Sequence, residues 1–285
     1  MKLGINSSVW SHGGWKFVDS LDRIKAFGFR HVDVLAYGNA HPLKMDAAEK
    51  QSAASKFQEL GLQASNMVML PAKNLGSPDT KEREEVLHYY RTAAEFQIGL
   101  GGRQVLVGWG CGEKIVGIPH ETVWKNSVEA LKRLCRWCAG KGIYVTPELD
   151  PMVYYLVNGI ESMARIIEEV DEPNLFANID IGHLAITRNS PDDLQKLEGK
   201  IIHAHISDCD GKIHSNDIIG TGVTKVSDYL KAIVEFGIDR TCKKLDLEPV
   251  AALELGVYGQ NIDDPDRWVS ESVAYMRKEV PWLTV

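Results

Sequence analysis

Four ionisable side chains interrupt otherwise apolar stretches in the second half of this 285-residue chain. Glu148 closes the run Y-V-T-P-E, and Asp180 lies between Ile179 and Ile181. His205 sits within H-A-H-I-S-D, and Glu254 within A-A-L-E-L-G. A carboxylate in an apolar strand is costly to bury unless something compensates its charge. Three carboxylates and one imidazole delivered to one place make the donor set of a divalent cation. Many oxygens and a single nitrogen favour Mn²⁺, Mg²⁺ or Co²⁺ over a structural zinc, which prefers sulfur and nitrogen. His203 lies two residues before His205 and shares its strand face. His205 is nearer the C-terminal end of its run and is taken as the ligand, with His203 a hydrogen-bonded core residue one layer deeper.

The elements that must position these groups follow from the hydrophobic pattern. Short apolar runs at 2–10, 31–38, 63–70, 103–110, 143–149, 175–183, 201–208 and 250–256 read as eight strands. Between them, and after the last, lie segments of helical period at 17–28, 46–61, 81–101, 121–142, 159–170, 190–200, 225–237 and 263–280. Several open on Asp, Ser or Thr and close on Gly, the residues that start and stop helices. Near-continuous apolar strands alternating with helices imply a parallel sheet covered on both faces. Eight such units close a barrel, so the expected fold is α/β, a (β/α)₈ TIM barrel in one domain spanning 1–285. An open doubly wound sheet is disfavoured because no Gly-rich phosphate fingerprint follows the first strand. Chemistry in a barrel belongs at the C-terminal strand ends, where strands five to eight deliver Glu148, Asp180, His205 and Glu254. The first half offers Asn6, Asp33 and Asn66 as polar interruptions, and its fourth strand ends in Gly108 and Trp109.

Composition narrows the partners. The formal charge is −7, the sequence pI about 5.7, and hydrophobic residues make up 44%. An acidic chain without basic runs argues against nucleic acid or an anionic membrane and points to a small-molecule substrate. The five cysteines are scattered and form no disulfide framework. Cys135 and Cys138 make a C-x-x-C inside an amphipathic run and read as helix residues. The N-terminus begins directly with a strand pattern, without signal-peptide features, and no run of about 18 apolar residues occurs. A cytoplasmic location is the expectation.

On P-E at 147–148, D-I-G-H at 180–183, H-A-H-I-S-D at 203–208, G-T-G at 220–222 and L-E-L-G at 253–256, the chain resembles a known group. This is the xylose isomerase-like TIM barrel superfamily, within it the sugar phosphate isomerase/epimerase family of the D-tagatose 3-epimerase-like kind. The resemblance covers nearly the whole length. It implies one metal, manganese first, on Glu148, Asp180, His205 and Glu254, with His183 of the D-x-x-H box binding substrate. It also implies removal of a proton beside a carbonyl through an enediolate, with Glu148 and Glu254 as the catalytic carboxylates on opposite substrate faces. The implied substrate is a ketose or a related keto-sugar or polyol, placing the chain in carbohydrate metabolism, and the implied assembly is a homo-oligomer.

The chain departs from that pattern in places. Ketose 3-epimerases carry a second Glu six residues after the strand-five ligand, where this chain has Tyr154. Their strand-seven loop presents an Arg, where this chain offers Lys212 and His214. The stretch between His205 and Glu254 is also long, around RTCKKLDLEP. Tyr154, Lys212 and His214 are therefore candidate substrate contacts, together with Trp109 and Asp208. Trp10, His12, Trp15, Glu113 and Asp150 are further pocket candidates, and Trp10 and Trp109 serve stacking and packing equally well. The missing basic cluster points to an unphosphorylated substrate. Alternatives within the superfamily are inosose or dehydroshikimate dehydration and C-glycoside cleavage. An endonuclease IV-like activity needs extra histidines where Asn66 and Gly108–Trp109 stand. A non-catalytic sugar-binding barrel would fit better if a ligand were lost, and all four are present.

Overall fold

The structure is a computed structural model that describes every residue except 258, 259, 261 and 284. Each of the eight apolar runs contains a strand: β1 (Lys2–Asn6), β2 (His31–Leu35), β3 (Gln63–Met69), β4 (Gln104–Val107), β5 (Tyr144–Pro147), β6 (Ala177–Asp180), β7 (Ile201–Ile206) and β8 (Val250–Leu253). The helices are α1 (Ser8–His12), α2 (Phe17–Ala26), α3 (Ala47–Leu60), α4 (Thr80–Gly99) and α5 (His120–Ala139). They continue with α6 (Ile160–Val170), α7 (Ile181–Thr187), α8 (Val226–Glu235), α9 (Ile238–Lys244) and α10 (Pro265–Glu279).

The strands pair in the order β5-β4-β3-β2-β1-β8-β7-β6, all parallel. The remaining gap closes through single parallel bridges, Val145 with Leu175 and Glu148 with Asn178. The Val145 amide donates to the Asn174 carbonyl at 2.9 Å, and the Phe176 amide donates to that of Val145 at 3.0 Å. The result is a (β/α)₈ TIM barrel. Register slips at two points, between Val32 and Asp33 and between Ala177 and Asn178.

The helices bury one stripe each. Along α6, Ile160, Met163, Ile166, Ile167 and Val170 recur at helical spacing and all face the sheet side. Each such side chain contributes about 1.5–3 kcal/mol on burial. Asp46 and Glu49 form a reciprocal capping box at the start of α3, and Asp79 and Asp264 cap α4 and α10.

Three segments differ from the pattern read in the sequence. Residues 8–10 of the first apolar run form α1, because Asn6 Oδ1 accepts the Ser8 amide at 3.0 Å and turns the chain. The 190–200 segment is a 3₁₀ helix over Pro191–Leu197, too short to develop an α-helix before Gly199 at φ 71°. The long stretch before Glu254 folds as α9. Cys135 and Cys138 are buried on α5, and burial pushes the Cys138 thiol up to about 12. Among the described residues, no helix is long and apolar enough to cross a membrane.

Candidate metal centre

Glu148, Asp180, His205 and Glu254 each place one donor atom within 4.8 Å of the others at the C-terminal mouth of the barrel. Glu148 and Glu254 stand one residue past β5 and β8, Asp180 is the last residue of β6, and His205 is next to last in β7.

Asp180 has two tasks. It is the N-cap of α7, so Oδ1 accepts the Gly182 amide at 2.7 Å, the His183 amide at 3.2 Å and the Ser207 hydroxyl. Its Oδ2 is buried with no hydrogen-bond partner. Gly182 is required here, since a Cβ would lie 2.1 Å from Ser207 Oγ. Capping thus satisfies one oxygen and leaves the other turned toward the cluster.

His205 organises the centre. Its Nδ1 lies 2.9 Å from Glu148 Oε1 and 2.9 Å from Glu254 Oε2. Its Nε2 lies 3.1 Å from Asp33 Oδ2, an ionised carboxylate that accepts only, so Nε2 carries hydrogen. The Nδ1 lone pair then meets two carboxylate oxygens, an arrangement that repels unless a cation or a proton stands between them. Burial penalises charge on His205, yet the Glu254 and Glu148 carboxylates outweigh it and hold the imidazole well above its ordinary value. Burial raises the Glu148 carboxyl, whereas for Glu254 the neighbouring His205 prevails over burial and lowers it. Neutral amides complete the frame: Asn178 Nδ2 donates to Glu148 Oε1 at 2.5 Å and Asn6 Nδ2 donates to Glu254 Oε1 at 2.9 Å.

The residues fit a divalent cation. A buried Asp180 oxygen without a hydrogen bond, 3.7 Å from His183 Nε2, converges with two further carboxylates and with His205 Nδ1, whose other neighbour is the Asn178 amide at 3.4 Å. Three oxygens and one nitrogen suit Mn²⁺, Mg²⁺ or Co²⁺, and zinc also takes such donors at catalytic centres.

A cavity of about 390 Å³ opens over the cluster and is lined by Glu148 and Glu254 themselves. Its second-half wall adds Asp150, His183, His214 and Asn216, while Leu35, Val68, Leu70 and Trp109 form an apolar wall on the other side. His183 Nδ1 donates to the Leu149 carbonyl at 2.7 Å, and its Nε2 lies 2.9 Å from Nε2 of His214. Burial opposes a charge on His183, but Asp180, Glu148 and Asp150 together raise it to about 9. His214 is pushed down to about 3, by burial first and then by His183. Burial lifts Asp150 to about 7 despite the nearby His183.

Of the other sequence candidates, only some reach the cavity. Asp208 is buried away from the cavity wall. Its two oxygens accept the amides of Cys209 (2.9 Å), Gly220 (2.9 Å), Gly222 (2.9 Å) and Thr224 (3.0 Å), tying down the loop that carries His214. This explains the G-T-G motif: a Cβ on Gly222 would fall 2.3 Å from Asp208 Oδ1. Tyr154 is 48% exposed and packs on Tyr155, and Lys212 is exposed outside the cavity lining. Trp10 is fully buried, its indole donating to Asp266 at 3.0 Å, while Trp109 and His12 line the cavity. Trp15 and Glu113 do not line it. Asn178 and Asn216 were not singled out in the sequence, since a neutral amide in a strand or loop carries no distinguishing pattern.

A larger hollow of about 550 Å³ lies at the opposite pole, between the N-terminal ends of β2, β3, β4 and β8. None of the clustered residues lines it, and that pole of a barrel serves stability rather than chemistry.

An eight-stranded parallel barrel with a carboxylate–histidine cluster at its C-terminal mouth defines the class of protein. The profile of the xylose isomerase-like TIM barrel family matches residues 21–279, and the chain belongs to that family. It is 25% identical over 240 residues to L-ribulose 3-epimerase of Methylomonas sp. (strain DH-1), covering 82% of this chain and 80% of that protein. It superposes on D-psicose 3-epimerase from Clostridium cellulolyticum H10, crystallised with D-tagatose, with a TM-score of 0.80 at 18% identity, covering 98% and 99% of the two chains. An IOLI protein with a bound zinc atom gives a TM-score of 0.79 at 19% identity, covering 98% and 99%.

Proposed function

We propose that this protein is a divalent-metal-dependent sugar isomerase or epimerase acting on an unphosphorylated ketose or related keto-sugar or polyol. The observation that carries the reading is the convergence of Glu148, Asp180, His205 and Glu254 beneath a cavity that the two glutamates themselves line, with Asp180 Oδ2 buried there without a hydrogen bond and 3.7 Å from His183 Nε2. The 3-epimerase relative and the zinc-bearing structural neighbour support the same chemistry.

The four clustered residues would hold one cation, manganese in the first instance. Bound there, it would stabilise the negative charge that develops on substrate oxygens once a proton beside the carbonyl leaves. Glu148 and Glu254 reach the cavity from β5 and β8, with β6 and β7 between them, so they approach the substrate from two sides. One removes the proton and the other returns it to the opposite face of the enediolate. His183 and His214 present a linked imidazole pair to substrate hydroxyls, and Asp150 adds a carboxyl to the same wall. Trp109, Leu35, Val68 and Leu70 offer an apolar surface to the sugar's carbon face. No lysine or arginine is among the described residues lining the cavity, which supports an unphosphorylated substrate.

The test is deuterium incorporation from D₂O into ketoses, inososes and oxidised glycosides by the metal-loaded protein, followed by NMR. Exchange with stereochemical inversion or carbonyl migration is expected. Exchange with loss of water or aglycone would move the protein to the lyases, and no exchange on any of them would overturn the reading.

A further inference from the structure

The carboxylate beneath the cluster belongs to the opposite half of the barrel. Asp33, in β2, is fully buried, and one of its oxygens, Oδ2, meets two histidines of β7 across the interior. His203 Nε2 lies 2.7 Å away and His205 Nε2 lies 3.1 Å away. The remaining oxygen, Oδ1, has no partner, and neither does Nδ1 of His203. The one side-chain hydrogen bond of His203 given by the structure is therefore spent on Asp33. One of the two register slips in the sheet falls directly before Asp33, and such bulges re-aim a side chain. The other falls directly before Asn178, the residue that holds Glu148.

We propose that Asp33 is a positioning residue of the metal centre, fixing His205 as its Nε2–H tautomer and thereby turning the Nδ1 lone pair into the carboxylate cluster. The proposal rests on the reading of His205 as a ligand, given above. An ionised carboxylate accepts and cannot donate, so it forces hydrogen onto the nitrogen it touches. The other nitrogen is then committed to the cluster. A carboxylate behind a ligating imidazole also makes the ligating nitrogen more basic and fixes the ring plane. His203 steadies the arrangement by donating to the same oxygen, which holds Asp33 in the orientation that His205 needs. A strand-two side chain thus governs which nitrogen a strand-seven ligand presents.

The experiment uses the full chain, stripped of metal with chelator and titrated with Zn²⁺ and Mn²⁺ against a competing indicator. Wild type is expected to bind one ion per chain. Asp33→Asn is isosteric but has an amide that can donate, and it should bind about 10- to 100-fold more weakly. Its stripped form should melt below wild type, because a buried carboxylate bonded to two histidines is lost. Both affinities are therefore measured at a temperature where each protein is folded. His203→Gln should give a smaller loss in the same direction. Nitrogen-15 NMR of the Zn²⁺-loaded wild type supplies a readout independent of any variant: His205 should show a protonated Nε2 and a metal-bound Nδ1. Binding through Nε2 would overturn the proposal even if Asp33→Asn fails to fold. Equal affinity of Asp33→Asn and wild type would overturn it while leaving the metal centre intact. Two ions per wild-type chain would also overturn it, because a second ion among Asp33, His203 and His205 would need the nitrogens that the proposal protonates. No ion bound by wild type would instead end the reading of the cluster as a metal centre, and this inference with it.

Discussion

Strands β5 to β8 lead into Glu148, Asp180, His205 and Glu254, whereas β2 and β3 carry Leu35 and Val68 to the same cavity and Trp109 follows β4. The second half of the barrel thus supplies the carboxylates, and the first supplies a largely apolar wall that also includes His12 and Tyr37. The division is physical as well as topological. Carboxylates gathered on adjacent strands can share one cation, while spread around the whole mouth each would need its own compensation. The apolar half leaves the polar groups facing it partly desolvated, which strengthens their interactions. The two halves are nevertheless tied together below the mouth. Asn6 of β1 holds Glu254, and Asp33 of β2 holds His205.

The sharpest way to break this comparison is to neutralise the charged half without altering its shape. Glu148→Gln and Glu254→Gln should each lower kcat and solvent deuterium exchange by about 10²–10⁴-fold, the usual worth of a positioned general acid or base. Leu70→Ala on the facing wall should instead raise KM while exchange persists. Near-normal exchange in either glutamate variant would end the two-carboxylate mechanism.

A second effect concerns the proton that competes with the cation. Glu254 and Glu148 hold His205 protonated well above its ordinary value, and Nδ1 must lose that proton before it can ligate. Metal affinity should therefore weaken by about tenfold per pH unit as pH falls below the raised value. Mn²⁺ titrations at successive pH values check this. A flat profile would mean that His205 does not lose a proton on binding, and would remove it from the ligand set.

The four clustered residues were legible in the sequence because a charge inside an apolar run is a local anomaly. Their neighbours were not legible in the same way. Asn178 is flanked by ordinary strand residues, and nothing local reveals that its amide reaches Glu148 from the next strand. Residues 8–10 continue an apolar run, so Trp10 reads as a strand end, whereas the side chain of Asn6 turns the chain into a helix that buries it. Spacing also misleads in loops. Tyr154 stands six residues past Glu148, but the loop turns it outward, while Asp150 points into the cavity. Asp208 follows the β7 histidines in a motif that looks catalytic, and its carboxylate is consumed by four loop amides. The fold and the clustering of these four residues were therefore readable from pattern, and the cavity wall depended on loop geometry that pattern does not encode.

Asp150 offers a smaller test of how strongly the charged half is strained when no cation is bound. Burial raises its carboxyl from 3.8 to about 7. A carboxyl whose folded value is raised contributes stability below the unfolded value and loses it as pH rises through the folded one. Asp150→Asn should therefore leave the stripped protein almost unchanged at about pH 4 and stabilise it by on the order of 1–3 kcal/mol at about pH 8. Urea unfolding in chelator at both pH values measures the difference. A gain that does not grow with pH would show that His183 fully compensates the Asp150 charge.

The smallest expected effect distinguishes the cavity wall from its rim. Tyr154 is 48% exposed, and Lys212 is exposed on the loop after β7, its backbone amide bonded to Asp210 at 2.8 Å. Neither lines the cavity. Tyr154→Phe and Lys212→Ala should leave kcat/KM within about threefold of wild type, because exposed side chains away from a site rarely contribute more than about 0.5 kcal/mol. His214→Ala removes the partner of His183 on the same loop and should cost about tenfold or more, the worth of a buried hydrogen bond at about 1.5 kcal/mol. If Lys212→Ala were instead the more damaging, the loop would have to fold inward over bound substrate. The charged half would then extend beyond the strand ends to the loop that Asp208 fastens.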